Sequence, residues 1–262
     1  MLVSEVMLQQ TPVVRVLPVW AEWLVRWPTP AALAAEPAGE AVRAWGRLGY
    51  PRRALRLHAA AVAIAERHDG EVPGTVAGLR ELPGVGEYTA AAVAAFAFGR
   101  RVAVVDTNVR RVEARLVTGV QHAAPSLTSG EREVAESLLP ERDSDARVWN
   151  VAVMELGALV CTARAPRCAD CPVESSCAWV ANGRPAYDGP ARRGQAWAGT
   201  DRQVRGLLLD VLRNTSGAVD RAALDVVWTS DTAQRDRALD SLLVDGLVEI
   251  TASGRYCLPG EA

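Results

Sequence analysis

Four of the five cysteines in this sequence are packed into one short segment, with the spacing C-x6-C-x2-C-x5-C. They are Cys161, Cys168, Cys171 and Cys177. Thiolates bind both zinc ions and iron–sulfur clusters, so this segment predicts a metal centre. Only one pair has the close spacing of a zinc hook, and the residues alone leave zinc, an iron–sulfur cluster and disulfides open. Cys257 stands apart and is predicted to be a small buried apolar residue.

Two acidic residues interrupt or end apolar segments. Glu5 lies within the apolar start of the chain, and Asp106 ends the run Val-Ala-Val-Val. Each has a simpler interpretation than chemistry. Glu5 is also consistent with the exposed face of a first helix, and Asp106 or Asn108 with a helix N-cap.

The segment Leu82-Pro83-Gly84-Val85-Gly86 lies between two helical patterns and suits a tight turn. Its glycines permit close backbone approach, and free amide groups at the start of the next helix would form an anion site. We therefore predict a DNA phosphate contact at this hairpin. The alternative is a plain corner between helices that needs glycine only for steric reasons.

Composition bounds the class of protein. The 262 residues are 49% hydrophobic and 23% charged with a net charge of -2, which is ordinary for a globular protein. No segment has the length of a membrane span, and the first ten residues do not form a signal peptide. We expect a cytoplasmic protein. Lysine is absent, so all 29 basic residues are arginine.

Periodicity near three to four residues predicts a mainly helical chain. Residues 182–200 are rich in Gly, Pro and Arg and are predicted to be a linker. Three helices and a two-stranded hairpin after this linker predict a winged-helix-like layout. The predicted helices are 1–25, 30–35, 38–47, 51–68, 87–98, 108–118, 129–139, 145–160, 201–213, 220–228 and 231–245. The predicted strands are 247–251 and 255–258, and 101–106 is an extended run.

These motifs together resemble the helix-hairpin-helix DNA glycosylases, and more narrowly the adenine DNA glycosylases of MutY type. The resemblance runs from Val3 to about Tyr187. Its motifs are Ser4–Thr11, Leu48-Gly49-Tyr50, Leu82–Ala90, Val105–Val112 and Glu155–Ala158. It implies an all-α fold, with a six-helix barrel at 1–100, a [4Fe–4S] helical domain at 101–181, and the winged-helix-like α+β module at 201–262.

The resemblance also implies a reaction, the hydrolysis of the N-glycosidic bond of adenine mispaired with 8-oxoguanine or guanine in duplex DNA. Glu5 is then the general acid, and Asp106 stabilises the oxocarbenium-like sugar. Asn108 and Tyr88 position these groups, and the four cysteines hold a [4Fe–4S] cluster. The enzyme is expected to work as a monomer.

Further residues match positions that contact DNA in this family. Gln10 and Tyr50 would wedge into the base stack, although each is equally compatible with an ordinary surface or turn position. Arg164 and Arg167 in the cysteine loop would meet phosphates, and Arg110 and Arg111 would do likewise.

A second hypothesis is an endonuclease III-like glycosylase with lyase activity. That type carries a lysine where this chain has Tyr88, and a chain without lysine lacks the usual Schiff-base nucleophile. The sequence therefore favours a monofunctional enzyme. A third hypothesis is a catalytically silent DNA-binding relative.

The chain departs from the family in four places, one of which is Pro51, where a second tyrosine is common. The family has a helix and a Pro-Trp-Arg segment before Ser4, so we expect the natural start to lie upstream, the alternative being a truncated form. Val151 stands where a Gln or Glu normally faces adenine. The usual C-terminal domain that reads 8-oxoguanine is replaced by residues 201–262, which are expected either to contact DNA or to serve as a packing module.

Overall fold

The computed structural model describes residues 1–189 and 197–262. The first nine helices of the described chain all lie before the cysteine segment. They are α1 (Leu2–Leu8), α2 (Val13–Arg26), α3 (Pro30–Ala34), α4 (Ala38–Trp45), α5 (Arg52–Arg67), α6 (Val76–Arg80), α7 (Glu87–Phe98), α8 (Thr107–Glu113) and α9 (Ser129–Leu138).

The remaining described elements surround the cysteines or follow the linker. They are α10 (Asp143–Glu155), α11 (Ala178–Ala181), α12 (Asp201–Arg213), α13 (Arg221–Asp225), α14 (Thr232–Val244), β1 (Glu249–Ile250) and β2 (Tyr256–Cys257). Two π-helical turns extend α8 and α10, at Ala114–Thr118 and Leu156–Val160. Short 3₁₀ turns lie at Cys168–Asp170 and Glu174–Ser176, between the cysteines.

The described residues divide into two compact units. The cysteine unit contains Met1, Gly74–Arg80 and residues 86–189. The module unit contains Leu2–Pro73, Glu81–Val85 and residues 197–262. This division differs from the predicted domain boundaries, because α7 groups with the residues after it and the C-terminal module groups with the N-terminal helices. The predicted linker at 182–200 lies partly outside the described residues.

An aromatic core organises the helical part of the module unit. Trp23 packs edge-to-face on Trp27 at 4.9 Å and on Trp45 at 5.7 Å between ring centroids. All three rings are buried. Edge-to-face packing of this kind adds to the free energy gained by burying the rings. It joins α2 to α4, while α5 packs on both α3 and α4.

The C-terminal module has its own leucine core. Leu208, Leu212, Leu239 and Leu242 project from α12 and α14 and are almost completely buried. The strands β1 and β2 are antiparallel, with Glu249 opposite Cys257, and Val219 bridges to the outer side of β2. Three helices and a hairpin confirm the predicted layout. Cys257 is fully buried, as predicted.

In the cysteine unit, α7 is apolar on nearly every side. Its alanines from Ala90 to Ala95 are buried, which is the pattern of a central helix. The helix ends at Gly99, whose φ of 64° lies in the left-handed region that glycine adopts without strain. Helix α8 packs against α9 and α10, and α11 packs on the π-turn that extends α8.

Two predicted elements are wrong in detail. A single helix was expected over 1–25, but the chain leaves the helical conformation between α1 and α2. Pro12 disfavours helix for the residue before it, and Gln10 has a φ of 56°. The predicted strands 247–251 and 255–258 are shorter in the structure, where β1 and β2 have only two residues each.

No helix in the described part of the chain is long and apolar enough to cross a membrane.

Candidate functional site

Asp106 is held rigidly at the start of α8. Its Oδ1 accepts hydrogen bonds from the amides of Asn108 and Val109, at 2.8 and 2.7 Å. Its Oδ2 accepts from the Asn108 side-chain amide at 3.0 Å. The N-cap interpretation is therefore correct, and it is compatible with chemistry. Three hydrogen-bond donors at the start of the helix fix the orientation of this half-buried carboxyl group.

Asn108 connects this carboxylate to the cysteine segment. Its Oδ1 accepts from Arg111 at 2.7 Å, and Arg111 also donates to the carbonyls of Cys161 at 2.8 Å and Gly157 at 2.5 Å. Gly157 permits the approach, since a Cβ there would lie 2.8 Å from the Asn108 Cβ. Arg111 was predicted to contact a phosphate, but its guanidinium group already donates to acceptors within the protein.

Glu5 lies in the other unit, in the middle of α1. The helix buries Val6 and Met7 against its neighbours and leaves the Glu5 side chain half-buried. Helix α1 packs on α2 and α5. The interpretation of Glu5 as a fully exposed surface charge is thereby excluded.

Tyr88 occupies the second position of α7. It packs against the buried cluster of Ala91, Ala92, Ala95 and Val104. It also lines a cavity of about 410 Å³ together with Val105, the residue before Asp106. At the cavity rim Arg132 donates to both carboxylate oxygens of Glu87, and these bonds lower the pKa of Glu87. This rim pair was not predicted from the sequence.

The predicted hairpin is a tight turn whose apolar side chains face inward. Leu82 and Val85 are buried, while Gly84 and Gly86 are exposed. Gly84 has a φ of 77°, and a Cβ there would lie 2.5 Å from the Cβ of Arg56. The expectation of free amides needs one correction, since the Val85 amide donates to the Leu82 carbonyl at 3.1 Å. In the described part of the chain no carbonyl accepts from the Gly84 or Gly86 amide.

Gln10 and Tyr50 share an unusual backbone conformation. Their φ values of 56° and 48° are left-handed, which only four non-glycine residues adopt among those described. Such strain persists where the surroundings impose it, and it concentrates at functional sites. Both side chains are exposed and line the same large cavity of the module unit. The Arg53 guanidinium stacks on the Tyr50 ring at 4.5 Å and donates to the Gln9 carbonyl.

The four clustered cysteines line one small cavity and form no disulfide. The volume of this cavity is about 30 Å³. Burial raises the pKa of the Cys171 thiol, and the charges of the other three cysteines add to this effect. No group of three or more His, Cys, Asp or Glu side chains in residues 1–189 and 197–262 meets the geometry for holding a metal ion. A single ion would draw its ligands closer together than a cluster in which each thiolate binds a different iron.

Arg115 is the residue of this segment that sequence reasoning missed. It is only 1% exposed, donates to the Cys161 Sγ at 3.2 Å and to the Thr162 carbonyl at 2.8 Å, and stacks on Trp179 at 4.9 Å. A signal exists in the sequence, because Arg111 and Arg115 are four residues apart. They therefore lie on one helix face.

The predicted phosphate-binding arginines differ in availability. Arg164 is exposed, and so is Arg167, although the latter donates to the Leu159 carbonyl at 2.9 Å. Arg110 is instead enclosed by acceptors. It pairs with Glu131 at 2.8 Å and donates to two loop carbonyls, with 12% of its side chain exposed. This geometry speaks against a phosphate contact by Arg110, because its donors already have partners.

The fold and these segments define a helix-hairpin-helix repair protein. Residues 3–134 match the HhH-GPD superfamily base excision DNA repair proteins, and the chain belongs to this family. Solved structures agree. A thermostable thymine-DNA glycosylase aligns with a TM-score of 0.62 and 28% identity, covering 69% of this chain and 83% of that chain. A non-covalent endonuclease III–DNA complex aligns with a TM-score of 0.61 and 25% identity, covering 70% and 83%.

The sequence relatives are more specific. The chain is 59% identical over 261 residues to an adenine DNA glycosylase of Mycobacterium tuberculosis (strain ATCC 25618 / H37Rv), covering 99% of this chain and 85% of that protein. It is also 59% identical over 260 residues to that of Mycolicibacterium smegmatis, with 99% and 87% covered. The adenine DNA glycosylase of Homo sapiens is 43% identical over 178 residues, with 67% and 32% covered. These similarities confirm the predicted family and fold.

Proposed function

We propose that this protein is a monofunctional DNA glycosylase that hydrolyses the N-glycosidic bond of adenine mispaired with 8-oxoguanine or guanine. The observation that carries the proposal is the Asp106 carboxylate, fixed by three hydrogen bonds at the start of α8. It occurs in a chain that is 59% identical to adenine DNA glycosylases over nearly its whole length.

Asp106 stabilises positive charge on the sugar. Cleavage of an N-glycosidic bond builds oxocarbenium character at C1′, and a preorganised carboxylate stabilises that charge without reorganising. The N-cap bonds fix the orientation of the Asp106 carboxyl group. Asn108 supports the second oxygen and is therefore a positioning residue.

Glu5 protonates the leaving base. Adenine departs poorly as an anion, so a carboxylic acid that donates a proton to the ring lowers the barrier. The half-buried position of Glu5 on α1 suits a group that must hold a proton before the reaction. After the base departs, the carboxylate accepts a proton from the attacking water. Two carboxylates in different environments thus fill two roles.

The absence of lysine makes the enzyme monofunctional. A lyase step requires an amine that forms a Schiff base with C1′, and the chain has no lysine side chain. Tyr88 stands where the lyase type has its lysine, packed against the apolar cluster of α7. A phenol in that position can form a hydrogen bond and fill space, but it cannot form an imine with C1′ because it has no amine.

Gln10 and Tyr50 hold the DNA open while the base is out of the stack. An extruded base leaves a gap, and side chains that enter it replace the lost stacking and pairing. Their left-handed backbone presents both side chains to solvent without a helix around them. The exposed Gly84 and Gly86 amides of the hairpin would meet a backbone phosphate nearby.

A [4Fe–4S] cluster held by the four cysteines would complete the site. The residues fit this group, since four unoxidised thiols surround one cavity and Arg115 donates to a ligand sulfur. When bound, the cluster supplies structural cross-linking of the loop that carries Arg164 and Arg167. Iron and acid-labile sulfide at the ratio of one cubane per chain would support this assignment, and zinc alone would contradict it.

The proposal is tested with Glu5→Gln and Asp106→Asn. Both variants should bind a duplex with an A:8-oxoguanine pair while releasing no adenine, because each keeps its shape and loses its charge chemistry. Glu22→Gln and Asp143→Asn are matched controls, since both residues are exposed acids on helices α2 and α10. If both active-site variants release adenine at the rate of the controls, the mechanism is wrong.

The same substrates separate the other hypotheses. Duplexes with A:8-oxoguanine, A:G and thymine glycol are incubated with the protein, and free base is measured with and without alkali treatment. Strand cleavage through a borohydride-trapped adduct, at the rate of base release, would support the lyase type. Binding without release of any base would support a silent relative.

A further inference from the structure

The C-terminal module is built into the helical part of its unit. The last turn of a helix leaves carbonyls that can accept further hydrogen bonds, and Arg43 of α4 donates to three carbonyls at or just after the end of α12. These bonds reach the carbonyls of Leu212 at 3.0 Å, Arg213 at 2.6 Å and Thr215 at 2.9 Å. Arg213 returns a bond to the Val42 carbonyl at 3.0 Å. The module is thus fixed on α4.

This packing creates a large cavity of about 780 Å³ within the module unit. It lies between α12 and the segment that joins α4 to α5. Five arginines line it from the N-terminal helices and that segment, namely Arg15, Arg47, Arg52, Arg53 and Arg56. Three more come from the module, namely Arg202, Arg205 and Arg213.

Carboxylates offset only part of this charge. Asp245 pairs with Arg52 at 3.1 Å and with Arg205 at 2.5 Å. Asp210 pairs with Arg47 at 2.6 Å and with Arg213 at 3.7 Å. Eight guanidinium groups thus face two carboxylates. Among the described residues that line the cavity, arginines thus outnumber carboxylates, in a chain whose net charge is -2.

Gathering like charges is unfavourable unless an anion joins them. The pKa of Arg213 falls to about 10 through burial, with the nearby Arg47 charge adding to this effect. Burial also lowers the pKa of Arg53, and Arg56 contributes. The Arg213 and Arg53 side chains are thus partly desolvated, and positive charge gathered beside them favours a phosphate group.

The cavity is also continuous with the two strained residues. Gln10 and Tyr50 are part of its wall, and Arg53 stacks on the Tyr50 ring. A DNA backbone bent around residues that enter the stack would therefore pass directly along these arginines.

We propose that α12 of the C-terminal module and the segment from Gly46 to Pro51 form a binding groove for DNA backbone phosphates beside Gln10 and Tyr50. The proposal rests on the proposed function, because it takes damaged duplex DNA as the ligand. It gives residues 201–262 a direct part in DNA binding. Sequence reasoning left the role of this module open between DNA binding and packing.

The test removes two exposed guanidinium groups, one from each wall. Arg47→Gln with Arg202→Gln should weaken binding to duplexes with and without a mispair equally, because phosphates carry no sequence information. Each neutralised phosphate contributes roughly 0.9 to the slope of log K against log salt, so the slope should fall by about 1.8. Between 50 and 200 mM salt, the parent protein should then lose roughly twelvefold more affinity than the double variant.

The matched control is Arg142→Gln with Arg237→Gln. Both residues are exposed, and neither lines the cavity, so the same charge is lost elsewhere. A control pair with the same slope change as Arg47 and Arg202 would overturn the proposal, because only net charge would then matter. Equal melting temperatures of the two double variants exclude a folding effect.

Two further measurements distinguish a wrong groove proposal from a wrong proposed function. Competition by inorganic phosphate or a single nucleotide at the affinity of a full duplex would overturn the proposal, since it would indicate a small-anion site. Adenine release by excess enzyme tests the proposed function separately. If release is absent in the parent protein while the salt slope still falls in the variant, the groove binds DNA and the proposed reaction is wrong.

Discussion

Glu113 provides the sharpest test of the electrostatics of the cysteine unit. It ends α8, is 3% exposed, and its Oε2 has no hydrogen-bond partner among the described residues. It faces a cavity of about 360 Å³. Burial raises the pKa of Glu113 from 4.5 to about 7, and the Glu131 carboxylate adds to the effect.

The sign and size of the effect follow from linkage. The folded protein holds this proton more tightly than the unfolded chain does, so stability is lost as pH rises from about 4.5 through 7. Each pH unit of difference is worth about 1.4 kcal/mol, and full ionisation of folded Glu113 therefore costs about 3 kcal/mol. At pH 5 the cost is still below about 1 kcal/mol.

Glu113→Gln removes this dependence. Relative to the parent, the variant should gain about 2.5 kcal/mol between pH 5 and pH 8, or roughly 5–10 °C in melting temperature. Any fixed penalty from burying the amide is the same at both pH values and cancels in the difference. Thermal unfolding followed by circular dichroism measures it.

The matched control is Glu133→Gln on α9, an exposed glutamate whose substitution should change the two melting temperatures equally. A Glu113→Gln variant that tracks the parent at both pH values would refute the reasoning. In that case Glu113 would be ionised and solvated in the folded protein.

Three further predictions concern the backbone and the cysteine loop. Gly84→Ala should lower the free energy of unfolding by roughly 1–3 kcal/mol, since φ is 77° and the new Cβ meets a side chain at 2.5 Å. Gly86→Ala, with a φ of -87° and open space around it, should cost less than half as much in the same denaturant titration. Arg115→Gln should reduce the iron bound per chain, because a buried donor to the Cys161 sulfur is lost, whereas Arg167→Gln should retain it. Gln10→Gly should raise the free energy of unfolding by roughly 1 kcal/mol by relieving the left-handed strain, while adenine release slows.

Each of these outcomes has a contrary result. Equal unfolding free energies for the two glycine variants would show that the turn can relax. Iron content unchanged by Arg115→Gln would make that arginine a packing residue alone. A Gln10→Gly variant with full activity would remove the wedge role.

Local sequence signals predicted most of the fold. Apolar periodicity placed the helices, and the burial of Cys257 followed from its place in an apolar hairpin. The helix predicted over 1–25 is interrupted at Gln9–Pro12 for a local reason. Apolar periodicity continues on both sides, but Pro12 and the left-handed Gln10 break the helix between them. The length of β1 and β2 depends on pairing, which periodicity does not contain.

The sequence predicted only part of the candidate site. Residue type and spacing singled out Asp106, the hairpin and the four cysteines as candidates. Their partners lie far along the chain, as with Arg115 and Cys161, which are 46 residues apart. The arginine cavity is harder still, because it joins residues near 50 to residues near 205. No local sequence pattern predicts that residues so far apart in the chain line one cavity.

The hydrogen bonds of Arg111 link the Asn108 side chain, which donates to Asp106, to carbonyls at the start of the cysteine segment. Arg111 holds the Asn108 side chain only while the carbonyls of Gly157 and Cys161 are in place to orient it. A newly made chain whose loop is still unordered would leave Asn108 free to turn away from the carboxylate. The order of the cysteine segment and the orientation of Asn108 beside Asp106 are therefore coupled.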